Sequence, residues 1–238
     1  MTRKQHDSDN ETQQFFPVPN PNDYHVRSYR TPNSKGGFLQ QHYITNQIVS
    51  PHMYIDMFQD IRLASENDDV FVYINSEGGW VDTGIQFINI LNECRGTVYT
   101  VLDGKAFSIA ATMFLAGPNK IVNSCGSLMI HNYSATVGGK GHELIQTIHG
   151  YNNYITDLME QHHKPFLTDE EFDKVLDGKD LWFKSSGVAE RLEVIDELNM
   201  VKELENERTQ LKQVIAELNE ELAEIEEALS PNNEEVED

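Results

Sequence analysis

The sequence predicts an α/β fold in which helices cover a largely parallel sheet, followed by a long helix that forms a coiled coil. Between residues 38 and 196, short apolar runs alternate with segments of helical periodicity, and this alternation is typical of βαβ units. Beyond residue 200, apolar residues recur every three and four positions, as in a coiled-coil heptad. We therefore expect a globular domain over residues 38–197 and a coiled-coil helix over 198–230.

Strand and helix signals alternate most clearly in the first half of the globular domain. The strands are short, apolar and closed by turn residues, whereas the helices carry apolar residues at helical spacing. Strands joined in this way through helices run parallel. In chain order, the predicted elements are a strand over 70–74, a helix over 81–91, a strand over 97–102, a helix over 108–116 and a strand over 127–131.

Two further segments flank this central pattern. Residues 1–37 are rich in Asn, Gln, Ser, Asp and Pro, and they predict a flexible polar arm. A long helix is predicted over about 141–163, because six residues from Leu144 to His162 form a stripe at intervals of three and four. Such a stripe requires a surface against which to pack.

The coiled-coil prediction depends on the seam positions of four heptads after residue 200. Eight of the nine positions are apolar, and Arg208 is the exception. The alternative is a single helix that packs back on the domain, but glutamates crowd the other faces and favour the coiled coil. Residues 231–238 are predicted to be disordered and acidic. The seam comprises Val201, Arg208, Ile215, Leu222 and Leu229 at position a, and Leu204, Leu211, Leu218 and Ile225 at position d.

Composition excludes several classes of function. The formal net charge is −21, and residues 197–238 alone hold 14 acidic and 3 basic residues. A surface this acidic repels nucleic acid and anionic membranes, so neither is expected as a partner. No apolar stretch is long enough for a signal peptide or a membrane span. Two cysteines, Cys94 and Cys125, do not form a disulfide framework, which predicts a cytoplasmic location.

Ser108 is the first candidate for chemistry, because it lies between a predicted strand and the first turn of a helix. Its hydroxyl would lie at the positive end of the helix dipole, where the Ile109 N–H could stabilise an oxyanion. The alternative is that Ser108 only caps the helix. Gly78-Gly79 follows an earlier strand and His131 ends a later one. Parallel strands bring such residues to one edge of the sheet, where they could meet Ser108.

These residues resemble motifs of the Clp protease proteolytic subunit family, serine peptidases of the crotonase-like superfold. The similarity lies in segments 73–79, 104–108 and 128–132, in the order Gly-Gly, serine, histidine, and it spans roughly residues 38–196. The resemblance implies repeated ββα units with a largely parallel sheet. It also implies Ser108 as nucleophile, His131 as general base and the N–H groups of Gly79 and Ile109 as the oxyanion hole.

The resemblance also implies an aspartate that orients His131. The sequence Asp180-Leu-Trp182, with the segments after it, is similar to the family's arrangement and assigns Asp180. Asp177 is the alternative, because the spacing after Asp180 is one residue longer than in the family. A third possibility is that either aspartate is a turn residue beside Gly178. The chain also departs from the family at Glu77, because the family has a proline at this position before Gly-Gly.

The chemistry implied by the resemblance is peptide-bond hydrolysis through a Ser-His-Asp triad, which needs no cofactor. The resemblance further implies two stacked heptameric rings, in which the helix over 141–163 mediates contact between rings, and an unfoldase of the AAA+ class as a possible partner. No metal site is predicted, because the histidines near His162 lack the spacing of a ligand pair.

Two alternative functions stay open. The first is a ClpP-like maturation protease of a viral assembly that docks through the coiled coil. The coiled coil favours this alternative, because the family normally ends near the position of Asp196. The second is a catalytically silent ring subunit or an acyl-CoA-binding relative of the crotonases. Phosphate binding favours basic residues, and this acidic chain has few.

Overall fold

The computed structural model describes residues 26–229, and the elements follow the predicted alternation of strands and helices. The predictions for residues 1–25 and 231–238 lie outside the described residues. The strands are β1 (Val26–Pro32), β2 (Phe38–Thr45), β3 (Asp69–Ser76), β4 (Thr97–Phe107), β5 (Asn119–Val122), β6 (Ser127–Ile130) and β7 (Leu181–Lys184). The helices are α1 (Ile55–Arg62), α2 (Val81–Glu93), α3 (Ile109–Ala116), α4 (Gly141–His162), α5 (Asp169–Leu176) and α6 (Ser185–Leu229), and a 3-10 turn (Pro51–Tyr54) precedes α1.

The strands form one sheet in the order β1-β2-β3-β4-β6-β7, and β5 also pairs with β4. The central pairs are all parallel, namely β2 with β3, β3 with β4, and β4 with both β5 and β6. Within residues 26–229, only the outermost pairs are antiparallel, namely β1 with β2 and β6 with β7. The predicted α/β class with a largely parallel sheet covered by helices is therefore confirmed.

The core lies between the sheet and the helices that follow its strands. Alternate residues of β3, beginning with Val70, Val72 and Ile74, are fully buried, as expected for a strand with one face on the core. Helix α3 is buried on nearly every side, and Phe114 has no exposed surface. Burying a side chain of this size stabilises the fold by roughly 1.5–3 kcal/mol. The start of α3 is thereby held in a densely packed interior.

The structure corrects the prediction of a flexible arm for the part beyond residue 25. Residues Val26–Pro32 form β1, which pairs with β2 along its whole length. The strand is polar and mostly exposed, so it lacks the apolar alternation by which strands are recognised in a sequence. Contacts with β2 hold it in place: the guanidinium of Arg30 lies 3.7 Å from the centre of the Phe38 ring.

The last helix begins earlier than predicted. We expected a separate helix from residue 198, but α6 runs without interruption from Ser185 to Leu229. Its first turns pack on the globular domain through the buried side chains of Val188 and Leu192. Helix α4 ends at His162, close to the predicted end of the stripe. Among the described residues, no helix is both long enough and apolar enough to cross a membrane.

Candidate active site

Three parallel strands bring the predicted catalytic residues to one edge of the sheet. Gly78 and Gly79 follow β3, Ser108 follows β4, and His131 follows β6. Parallel strands point their carboxyl ends the same way, so these loops meet at this edge. The Ser108 Oγ atom lies 2.8 Å from His131 Nε2, which is hydrogen-bond distance. The structure therefore brings the predicted nucleophile and the predicted base together.

Ser108 is the N-cap residue of α3, but its side chain does not cap the helix. Its side chain makes no capping hydrogen bond and contacts His131 instead. Its backbone has φ 58° and ψ −130°, a conformation that non-glycine residues rarely adopt and that costs about 1–3 kcal/mol. The bond from the Ser108 N–H to the Met129 carbonyl oxygen, 3.0 Å long, helps to hold it there. Such strain at a turn from strand to helix is typical of an exposed nucleophilic serine.

The Gly-Gly loop packs directly against this serine. Gly78 has φ 91°, and a Cβ atom placed on it would lie 2.7 Å from Ser108 Cβ and 3.3 Å from the Ile109 nitrogen. Gly79 is equally constrained, because a Cβ there would meet the carbonyl oxygen of Ile48. The loop is fixed to the segment at Ile48 by hydrogen bonds on both sides of Gly79. Only glycine fits this loop, and its backbone lies beside Ser108.

The structure does not join either candidate aspartate to His131. Both Asp180 and Asp177 are exposed, and no hydrogen bond links them to the histidine within residues 26–229. Their positions nevertheless differ. The antiparallel register of β6 with β7 pairs Ile130 with Leu181, and its continuation by one residue sets Asp180 opposite His131. Asp177 instead ends α5, where its N–H bonds to the Asp173 carbonyl oxygen.

Glu77 forms an ion pair with a nearby lysine. This is the residue at which the chain departs from the family beside the glycines. Its Oε2 atom lies 3.0 Å from Lys105 Nζ, and both side chains are about half exposed. A hydrogen bond from its own backbone N–H, and then the Lys105 ammonium, hold the pKa of the Glu77 carboxyl below its usual value. The carboxylate is paired and solvated, so it adds little negative potential at the oxyanion position.

A small cleft of about 70 Å³ opens beside Ser108, and two of its polar residues were missed by the sequence analysis. Thr112 Oγ1 and His163 Nε2 lie 2.9 Å apart in its wall. Burial, with a smaller effect of His162 and His131, lowers the pKa of His163 to about 3. This imidazole is therefore neutral at physiological pH. Nothing in the sequence distinguished His163 from the neighbouring histidine, since only the fold places it at the cleft.

The chain offers no cluster suited to metal binding in the part that the structure describes, because no three His, Cys, Asp or Glu side chains converge there. The cleft is lined instead by four hydroxyl-bearing residues and two imidazoles, and Gly79 and Ile109 lie beside them. These six side chains are Ser108, Thr112, Tyr133, Ser134, His131 and His163. This set suits proton transfer and oxyanion stabilisation.

The fold and the site together define an α/β protein with a serine and histidine paired at the carboxyl edge of a parallel sheet. The family model described as Clp protease matches residues 40–190. The chain therefore belongs to the Clp protease family.

Curated relatives agree with this assignment at modest identity. The chain is 31% identical over 90 residues to the ATP-dependent Clp protease proteolytic subunit of Aethionema cordifolium. It has the same identity to the chloroplastic ATP-dependent Clp protease proteolytic subunit 1 of Arabidopsis thaliana. Each match covers 37% of this chain and 43% of the relative. The matched segment thus spans less than half the length of these relatives.

Proposed function

We propose that the chain is a serine endopeptidase that hydrolyses peptide bonds through Ser108, His131 and Asp180. The observation that carries this proposal is the 2.8 Å contact between Ser108 Oγ and His131 Nε2, made by a serine whose backbone is strained at the start of α3. A serine that served only the fold would have no need of this conformation. Family membership supports peptide hydrolysis as the reaction, and the contact supports Ser108 and His131 as the groups that perform it.

In this mechanism, Ser108 Oγ attacks the scissile carbonyl carbon while its proton moves to His131 Nε2. The N–H groups of Gly79 and Ile109 stabilise the oxyanion that forms. The first N–H of a helix has no partner within the helix, so that of Ile109 is free for this role. His131 then protonates the leaving amine, and the acyl-enzyme forms. A water molecule, deprotonated by His131, releases the second product and restores Ser108.

Asp180 completes the triad by accepting a hydrogen bond from His131 Nδ1. Its position opposite His131 in the extended β6–β7 register supports this role over that of Asp177. Directly opposed residues in a sheet have Cβ atoms about 4.5–5.5 Å apart, a distance that a carboxylate can bridge by a change of rotamer. The resulting bond would hold the imidazole in the tautomer that accepts the serine proton.

We also propose that the chain works as an oligomer, in two stacked heptameric rings that enclose the active sites. Family membership supports this arrangement, and so does the surface of α4, which exposes Ile145, Ile148 and Tyr154 to solvent. The relatives are named ATP-dependent, and an AAA+ unfoldase would supply that dependence to this chain. The cytoplasmic location stays a prediction, and one relative is chloroplastic by name.

A serine-directed fluorophosphonate tests the proposal. We expect it to label Ser108 in the intact protein, and we expect Ser108→Ala to lose both labelling and hydrolysis of a fluorogenic peptide. Ser28→Ala is the matched control, because Ser28 Oγ also lies 2.7 Å from a histidine nitrogen, His42 Nδ1, but within the β1–β2 strand pair. This control should keep full activity and labelling. A protein that is never labelled at Ser108 would instead be the silent subunit.

A further inference from the structure

Helix α6 has two parts that differ in their surroundings. Its first turns are covered by the globular domain, where Val188 and Leu192 are buried and Ile195 is half-buried. After Ile195, every residue as far as position 226 is exposed. We call residues 198–229 the free helix. At 1.5 Å per residue it is about 48 Å long.

The free helix carries an uncovered apolar seam. The seam positions Val201 and Leu204, and the five apolar ones from Leu211 to Ile225, are each 52–58% exposed. Burying such side chains against another apolar surface stabilises the contact. An apolar stripe of this length, interrupted only by Arg208 among the described seam positions, marks an interaction surface rather than an ordinary solvated face. Its heptad spacing fits another helix.

Charge along the free helix is uneven. Residues 201–212 hold three basic and three acidic side chains, whereas residues 213–226 hold five glutamates and no lysine or arginine. Glu221 and Glu226 occupy positions g and e, which border the seam and face the flanks of a paired helix. A partner that covers the far half of the seam therefore lies directly against negative charge.

A second copy of this chain is a poor match for the seam. In a parallel pair, Glu207 would lie beside Lys212. However, Arg208 would face Arg208 of the other copy inside the seam, and Glu221 would lie beside Glu226. An antiparallel pair centred near Ile215 would set Glu205 beside Glu226 and Glu207 beside Glu221. Either arrangement brings like charges together, and this opposes association.

We infer that the free helix docks a helix of another protein whose apolar seam is flanked by lysine or arginine. That partner's basic flanks would face Glu221 and Glu226, and an acidic residue in its seam would pair with Arg208. Electrostatic complementarity of this kind selects the partner, and burial of the seam holds it. The inference does not depend on peptidase chemistry, because the free helix lies outside the Ser108 site.

Two synthetic peptides of four heptads test this inference on the full-length protein. Both have a leucine and isoleucine seam with one glutamate placed to face Arg208, and they differ only in carrying lysine or glutamate at e and g. We expect the lysine peptide to bind at least tenfold more tightly, as measured by fluorescence anisotropy, and its advantage to shrink as salt is added. Equal affinity for both peptides would overturn the inference.

Charge-reversal variants locate the contact. Glu221→Lys with Glu226→Lys should abolish the preference for the lysine peptide, because these residues flank the seam. Glu217→Lys with Glu224→Lys makes the same change in net charge on the opposite face, and it should weaken binding less than threefold. Equal losses in both pairs would show attraction by net charge alone and would contradict the inference.

Sedimentation of the full-length protein without peptide tests whether a second copy of this chain covers the seam. The inference requires that Leu211→Asp with Leu218→Asp abolish peptide binding and leave the oligomeric state unchanged. If this variant instead dissociates an assembly of the unmodified protein, the seam is covered by a second copy and the inference is wrong. Hydrolysis of a short fluorogenic peptide by the same variant separates this outcome from a failure of the proposed peptidase function.

Discussion

The sheet edge at Ser108 differs from the free helix in one respect. The edge has its interacting groups within this chain, whereas the free helix does not. At the edge, Gly78 packs against Ser108, and Ser108 Oγ already lies 2.8 Å from His131 Nε2, all within one domain. Along the free helix, no other part of residues 26–229 covers the apolar seam. Rigid packing therefore marks a function that is internal to the domain, and an uncovered seam marks one that needs a second protein.

The largest expected effect tests whether Asp180 acts with His131 at the sheet edge. Asp180→Asn should lower kcat about 10⁴-fold, because the amide favours the wrong tautomer of His131. Asp177→Asn should change kcat less than threefold, since Asp177 only ends α5. Steady-state hydrolysis of a fluorogenic peptide measures both. A larger loss in Asp177→Asn would transfer the triad role to that residue.

Close packing at the edge is tested by two glycine substitutions. In Gly78→Ala, the added Cβ would collide with the Phe107 carbonyl oxygen and with Ser108, so we expect kcat to fall at least 100-fold. Gly138→Ala is the control, because its Cβ would meet no atom within 4 Å. Thermal melting must accompany the assays. Full activity in Gly78→Ala would show that the loop does not set the position of Ser108.

A pair of leucines separates the packed and free parts of α6. Leu192→Ala should lower the free energy of unfolding by about 2–4 kcal/mol, because it leaves a cavity in the core. Leu218→Ala makes the same chemical change on the free helix and should cost less than about 0.5 kcal/mol in the absence of a partner. Urea denaturation measures both values. Equal costs would mean that the free helix packs on its own domain in solution.

The smallest expected effect concerns acid stability at the packed end of α6. Hydrogen bonds from Arg191, opposed by partial burial, hold the pKa of Glu171 at about 2. The contribution of this pair is present above about pH 4.5 and is lost as the pH falls towards 2. Glu171→Gln should therefore remove about 1–2 kcal/mol of stability at pH 7 and flatten the acid dependence below pH 4.5.

Glu221→Gln is the control for that measurement. Glu221 lies on the exposed part of α6, so its replacement should leave the pH dependence of unfolding unchanged. Denaturant titrations at a series of pH values from 2 to 7 compare the two variants. A pH dependence of Glu171→Gln that matches the unmodified protein would show that the ion pair with Arg191 does not stabilise the fold.

The sequence allowed the central fold and the Ser108–His131 pair to be predicted, because both depend on strong local signals. Apolar runs define the buried strands, and the order of Gly-Gly, serine and histidine identifies the residues at their carboxyl ends. Strand β1 was missed because its residues are polar and are ordered only by pairing with β2. The position of His163 in the cleft wall depends on a contact between α3 and the end of α4, and no local sequence pattern encodes this contact.

The unbroken course of α6 also has a consequence for catalysis. Because one rigid helix joins the core packing at Leu192 to the seam at Leu218, a docked protein is held at a restricted distance from the domain that bears Ser108. A cleavable segment tethered to that protein would then reach the site at an effective concentration that short linkers place in the millimolar range. The cleft itself would need little affinity for the segment. The identity of the docked protein, rather than the local sequence around the scissile bond, would then determine which substrate is cleaved.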